Sequence, residues 1–107
     1  MKVPRADGPD AATVAEVFAR RAALKDQPVA IRGRVVKFTG GVMNKNWLHL
    51  QDGSGSQATG NHDITVTTSD TVKVGDVVAV RGVVHLDRDF GAGYSYSIII
   101  EDAKLTP

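Results

Sequence analysis

The chain has 107 residues, 42% of them hydrophobic and 23% charged, with 11 glycines, which fits one compact domain around a single core and leaves no room for a second. Thirteen Lys plus Arg against twelve Asp plus Glu leave a net charge of +1, so no molecule-wide field draws in a polyanion and any nucleic-acid affinity must come from a local patch. The absence of cysteine excludes disulfides, thiolate metal sites and cysteine nucleophiles together.

No apolar run approaches the ~18 residues needed for a membrane-spanning helix, and the opening MKVPRADGPDAAT lacks the apolar stretch of a signal peptide. The first ten residues combine two prolines, a glycine and four charges without apolar periodicity. Residues 1–12 therefore read as a flexible arm preceding one domain over 13–107. Thr13 as N-cap, Glu16 as its capping-box partner, and apolar residues at Val14, Val17, Phe18 and Leu24 predict an amphipathic helix over 13–25. Pro28 ends it, because proline cannot continue the hydrogen-bond ladder and disfavours helical geometry in the residue before it.

From residue 29 the period changes to two. VAIRGRVVKF, 29–38, places Val29, Ile31 and Val35 in one phase and Arg32 and Arg34 in the other, with Gly33 marking a bend or bulge. TGGVMNKN, 39–46, has loop composition, and WLHLQ, 47–51, alternates Leu48 and Leu50 against Trp47, His49 and Gln51. A long connection over 52–62 leads to ITVTT, 64–68, a third strand with Ile64 and Val66 inward that forms a hairpin with the second. SDTVKVGD, 69–76, is a connector. VVAVRGVVHL, 77–86, repeats the first strand's pattern with Gly82 at its centre. A glycine-rich loop, DRDFGAG, precedes the last strand, YSYSIIIE, 94–101, and the tail from Asp102 carries no signal. Five strands over 29–101, two with central glycines that permit tight coiling, predict an all-β fold: a five-stranded Greek-key OB-fold barrel with an N-terminal α-helix. An SH3-like barrel and a half sandwich are the alternatives, since strand count alone does not fix connectivity.

Several of these segments are familiar in combination: TVAEVFARRAALKDQPVAI, GRVVKFTGGVMNKNWLHLQDGSG, DITVTT, VGDVVAVRGVV and DRDFGAGYSYSIIIEDAKL. Together they resemble, from Thr13 to Leu105, a family of small bacterial OB-fold proteins described as nucleic-acid-binding proteins or lipoproteins of the cell envelope, some encoded near respiratory cytochrome genes. The resemblance implies a periplasmic or cell-envelope location with the export signal missing from this chain; a full-length chain would instead be cytoplasmic. WLHLQD is also similar to the second strand of the anticodon-binding OB domains of class II aspartyl- and lysyl-type tRNA synthetases. There an opening aromatic, which falls on Trp47, stacks on a base. The basic residue often found before the final aspartate is replaced here by Gln51, which departs from the RNA-reading pattern.

An OB barrel binds single-stranded nucleic acid with aromatic platforms for bases and cations along the backbone, on the face of its second and third strands and the flanking loops. Trp47, His49 and Gln51 are in the outward phase for this, with Lys45, Arg32 and Arg34 as neighbouring cations and Arg88 and Phe90 on the opposite loop. Trp47 has an equally strong structural reading as the packing anchor of the N-terminal helix, and Arg88 and Phe90 a stronger one as a solvated turn, because Asp87 and Asp89 repel phosphate. Met43 is a soft contact or a barrel-end cap. His49, His62 and His85 with Met43 would suit copper or zinc if they converged, but no spacing joins them, and Asp52–Asp63 lacks the glycine and glutamate of a calcium loop. No phosphate loop, nucleophile elbow or HExxH motif occurs, so neither cofactor nor catalysis is expected. The expected function is a non-catalytic module for single-stranded nucleic acid. Its alternative is a cell-envelope binding protein that takes a partner protein, small ligand or metal ion on the same face.

Overall fold

The structure, a computed structural model describing residues 2–107, contains the helices α1 (Val14–Ala19) and α2 (Arg21–Leu24) followed by the strands β1 (Pro28–Val42), β2 (Lys45–Gln51), β3 (Ile64–Thr68), β4 (Val77–Asp89) and β5 (Ser95–Thr106). The strands form one sheet that closes into a ring in the order β1-β2-β3-β5-β4. Every neighbouring pair is antiparallel except β3 and β5, which run parallel. The second and third strands pair as expected, Leu48 opposite Val66 and Leu50 opposite Ile64.

β1 is shared between two partners. Residues Pro28–Arg34 pair with β4 and Arg34–Val42 with β2, so the strand coils from one side of the ring to the other at Gly33–Arg34. A Cβ on Gly33 would lie 2.7 Å from Leu50 Cγ and 3.0 Å from the Gln51 carbonyl oxygen; on Gly82 it would lie 2.7 Å from Ile100 Cγ2 and 3.0 Å from the Glu101 carbonyl oxygen. At both mid-strand glycines, then, a neighbouring strand passes where a side chain would sit. The interior is filled by the inward phase of each strand, including Ile31, Val35, Leu48, Leu50, Val66, Val80 and Ile100, together with Val14 and Val17 of α1.

The capping box forms as expected: Thr13 Oγ1 accepts from the Glu16 backbone N–H, and the Glu16 carboxylate accepts from the Thr13 N–H. That backbone hydrogen bond holds the Glu16 carboxyl below its ordinary value, against the opposing effect of burial and with help from the Arg5 guanidinium. The single helix expected over 13–25 is instead two short ones that break at Arg20. Ala19, Arg20 and Arg21 are all good helix formers, so the break comes from the two ends. Val14 N–H donates to buried Asp52 and Ala15 N–H to Ser54 Oγ, while Asp26 N–H donates to the Val84 carbonyl and Val84 N–H to that of Gln27.

Three further expectations are corrected. The arm is not free: Val3 N–H donates to the Asp52 carbonyl, Ala11 bridges Ala30, Ala12 N–H bonds the Ala30 carbonyl, and Arg81 pairs with Asp10. Residues 39–46 are not a loop but a hairpin, because Met43 and Asn44 both adopt positive φ (53° and 62°), a two-residue turn whose twist suits the flanking strands. The tail beyond Asp102 is strand. Asp102 itself, at φ 55°, is the extra residue of a bulge, after which Lys104 and Thr106 pair with Arg81 and Ala79.

Candidate nucleic-acid interface

The outward phase of β2 places Trp47 beside Thr39 of β1 and Thr67 of β3, and His49 beside Lys37 and Thr65. An indole needs a partner for its N–H once buried, and Trp47 Nε1 donates to the Val42 carbonyl at 2.8 Å. The rest of the ring is covered from the β4–β5 hairpin. Its tip turns through Gly91, Ala92 and Gly93, all at positive φ, and is closed by hydrogen bonds from Phe90 N–H to the Tyr94 carbonyl and from Tyr94 N–H to that of Gly91. This brings Phe90 edge-on to Trp47 at 5.1 Å between centroids, Tyr94 tilted at 5.6 Å and Tyr96 stacked at 5.7 Å.

Trp47 is consequently only 6% exposed, while Phe90, Tyr94 and Tyr96 are half-buried. Trp47 is packed, but not under the N-terminal helix: its cover is this aromatic hairpin, whereas the helix stripe of Val14 and Val17 enters the common core. A cleft of about 110 Å³ opens between Tyr94 and Tyr96 on one side and Lys37, Thr39, His49 and Thr65 on the other. Burial, with Tyr94 alongside, raises the Tyr96 phenol above its ordinary value.

Arg88 and Phe90 do more than form a solvated turn. The Arg88 guanidinium lies 4.6 Å from the Phe90 ring centroid and donates to both carboxylate oxygens of Glu101, at 2.6 and 3.2 Å. His85 Nδ1 shares Glu101 Oε2 at 2.6 Å. The Glu101 side chain is 3% exposed; burial disfavours its charge, yet Arg88 and His85 outweigh that and hold the carboxyl below the usual range. The same pairing raises Arg88. Arg88 thus fixes the base of the aromatic hairpin through a carboxylate that cannot readily protonate.

His49 Nδ1 lies 2.7 Å from Asp63, and Gln51 Nε2 donates to the other Asp63 oxygen at 2.8 Å. Partial burial opposes ionisation of Asp63, but the hydrogen bonds from His49 and Gln51 keep its carboxyl low. Lys45 extends toward Asp102 at 4.0 Å. The remaining two expected cations stand apart from the aromatic cluster. Arg32, opposite Ala79 on β4, donates to the Arg5 carbonyl, and Arg34, opposite Gln51, reaches the Gly75 carbonyl. Both belong to the part of β1 before its register shift between Val35 and Lys37, after which Lys37 and Thr39 take the outward positions at the cleft. The structure therefore brings Trp47 and His49 to one cleft with Lys37, Tyr94 and Tyr96, packs Phe90, with Arg88 on its ring, against Trp47, and links Gln51 to His49 through Asp63. The alternation in YSYS was a signal for the two tyrosines; nothing local announced Lys37, because its phase depends on the bulge.

Among the described residues no group of three or more His, Asp and Glu side chains is arranged to hold a metal ion. His49 and His85 serve separate carboxylates, Asp63 and Glu101. No sequence profile of a known protein family matches the chain, and no curated protein matches it.

Proposed function

We propose that the chain is an OB-fold barrel acting as a non-catalytic module for single-stranded nucleic acid, with bases taken up at the aromatic cleft. Support for the fold comes from the ring order β1-β2-β3-β5-β4, the parallel β3–β5 pair and the coiled, glycine-centred first and fourth strands. The observation that carries the function is the convergence of Trp47, Tyr94 and Tyr96 from two elements onto one cleft, with Phe90 packed against Trp47 and Tyr96 beside it. Aromatic faces accept any base, and each stacked base is worth roughly 1–3 kcal/mol.

Two cations lie on this side of the barrel with little competition: Lys37, which lines the cleft, exposed and without an ion pair among the described residues, and Lys45, two positions before Trp47 on β2 and 4.0 Å from Asp102. Neutralising two phosphates of a single strand gives a slope of about −1.4 in log affinity against log salt, or roughly a sevenfold loss between 50 and 200 mM. The test is a titration of the fluorescence of Trp47, the sole tryptophan, with oligo-dT and oligo-rU at both salt concentrations. Quenching that weakens about sevenfold with salt, and that Tyr96→Ala reduces, is expected. Emission that no oligonucleotide alters refutes the reading.

A second reading is favoured by two carboxylates on the elements that form the cleft, Asp63 bonded to His49 and Asp89 in the aromatic hairpin. They suit a partner protein or small ligand better than a polyanion, as the implied cell-envelope location would also suggest. Saturable binding of a non-nucleic ligand at the same tyrosines, indifferent to salt, would favour it.

A further inference from the structure

A second hollow lies across β1 from the aromatic cleft, on the outer face of β1, β4 and β5. It has a volume of about 400 Å³ and is bordered by Arg32, Arg81 and Lys104, with Ala30 and Ala79 between them. Register brings the three cations together: Arg81 is opposite Ala30 on one side and Lys104 on the other, and Arg32 is opposite Ala79. The small alanine side chains leave the space that the longer cationic ones surround.

Placing Arg81 directly across from Lys104 is unfavourable in itself, since like charges at facing positions of a sheet repel. The arm offsets only part of the charge. Asp10 pairs with Arg81, whereas Asp7, its side chain 98% exposed, is 3.8 Å from Arg32 and contributes little through water. Lys104 is exposed and has no ion pair among the described residues. The face thus holds three cations against two carboxylates of the arm, of which Asp7, at the rim of the hollow, is almost wholly exposed, around a hollow of the size that takes small-molecule ligands.

We propose that this hollow is an anion site for a phosphate group, separate from and independent of the aromatic cleft. A multiply charged tetrahedral oxyanion answers cations on three strands at once. Guanidinium groups bind it through paired N–H donors and the ammonium of Lys104 adds a point charge. The volume exceeds that of a bare phosphate, so the body attached to it rests over Ala30 and Ala79. The phosphate belongs either to a small phosphorylated compound or to a nucleic-acid backbone.

The full chain, isotopically labelled, is titrated with pyrophosphate at constant ionic strength and followed by amide resonances. Saturable shifts confined to Arg32, Ala79, Arg81 and Lys104 are expected. Lys104→Gln, which loses no partner, should weaken binding about three- to tenfold, while Lys25→Gln, an equal change of charge on the exposed end of α2, leaves it within twofold of the original. Asp7→Asn should strengthen it by no more than about twofold. Oligo-dT shifting the same residues and displacing pyrophosphate identifies the backbone as the source; pyrophosphate binding that oligo-dT does not disturb identifies a small phosphorylated compound. Non-saturating shifts spread over lysines generally, or equal binding by Lys104→Gln and the unaltered chain, overturn the site.

Discussion

Replacing Glu101 by Gln removes the charge on which the aromatic hairpin is anchored. In the folded chain this 3% exposed carboxylate accepts three hydrogen bonds, two from Arg88 and one shared with His85. A Gln at this position keeps one acceptor oxygen and turns an N–H₂ group toward donors. A buried charge-assisted hydrogen bond is worth about 1.5–3 kcal/mol. The Arg88 and His85 side chains remain 44% and 30% exposed and recover water when released, which brings the expected net loss to about 1–3 kcal/mol. For a domain of this size that lowers the melting temperature by roughly 5–15 °C.

The pH dependence has a definite sign. Glu101 titrates lower folded than its ordinary value of 4.5, so around that pH the unfolded chain binds more protons, and the stabilisation is complete above about 4.5 and lost as pH falls through the folded pKa. Urea unfolding of the original chain and Glu101→Gln at pH 7, 5.5, 4 and 3 measures this directly. The gap between them should be widest at pH 7 and shrink below pH 4.5. A gap under about 0.5 kcal/mol at pH 7, or one that widens on acidification, would show that the Glu101 network does not hold the hairpin as described.

Gly33→Ala should cost about 1–3 kcal/mol by overpacking against Leu50 and the Gln51 carbonyl, whereas Gly40→Ala, whose nearest contacts are the Asn46 and Phe38 side chains at 3.3 and 3.4 Å, should cost little. Equal urea midpoints for the two would contradict the close approach at Gly33. Asp52→Ala strands the Val14 N–H and removes the acceptor of both Ser54 hydrogen bonds, for a loss of about 1–3 kcal/mol. Asp52→Asn, which retains one acceptor, should lose less; chemical denaturation of both variants is the check. Phe90→Ala removes a ring in T-shaped contact with Trp47, and the indole emission should move to longer wavelength with little change in the far-ultraviolet circular dichroism. An unshifted spectrum would mean the other rings suffice to exclude water.

Local pattern alone determined the phase of the second strand and the start of the first helix. Leu48 and Leu50 turn inward while Trp47, His49 and Gln51 turn outward because strand side chains alternate, and Thr13 with Glu16 starts a helix because of its own hydrogen bonds. The central glycines, Gly33 and Gly82, likewise marked the places where strands meet most closely. Tertiary structure decided whatever depended on a distant partner. Helix formers break at Arg20 because both ends of the segment are tied elsewhere, and a charged, proline-bearing arm lies down because the sheet offers Ala30 and Arg81 to it. The arginines of the first strand leave the aromatic face because a register shift past Val35 changes which residues point outward. Trp47 is at once outward and buried, since its cover arrives from a hairpin more than forty positions away along the chain. Alternation specifies a direction for each side chain, but what waits in that direction is set by how the strands close.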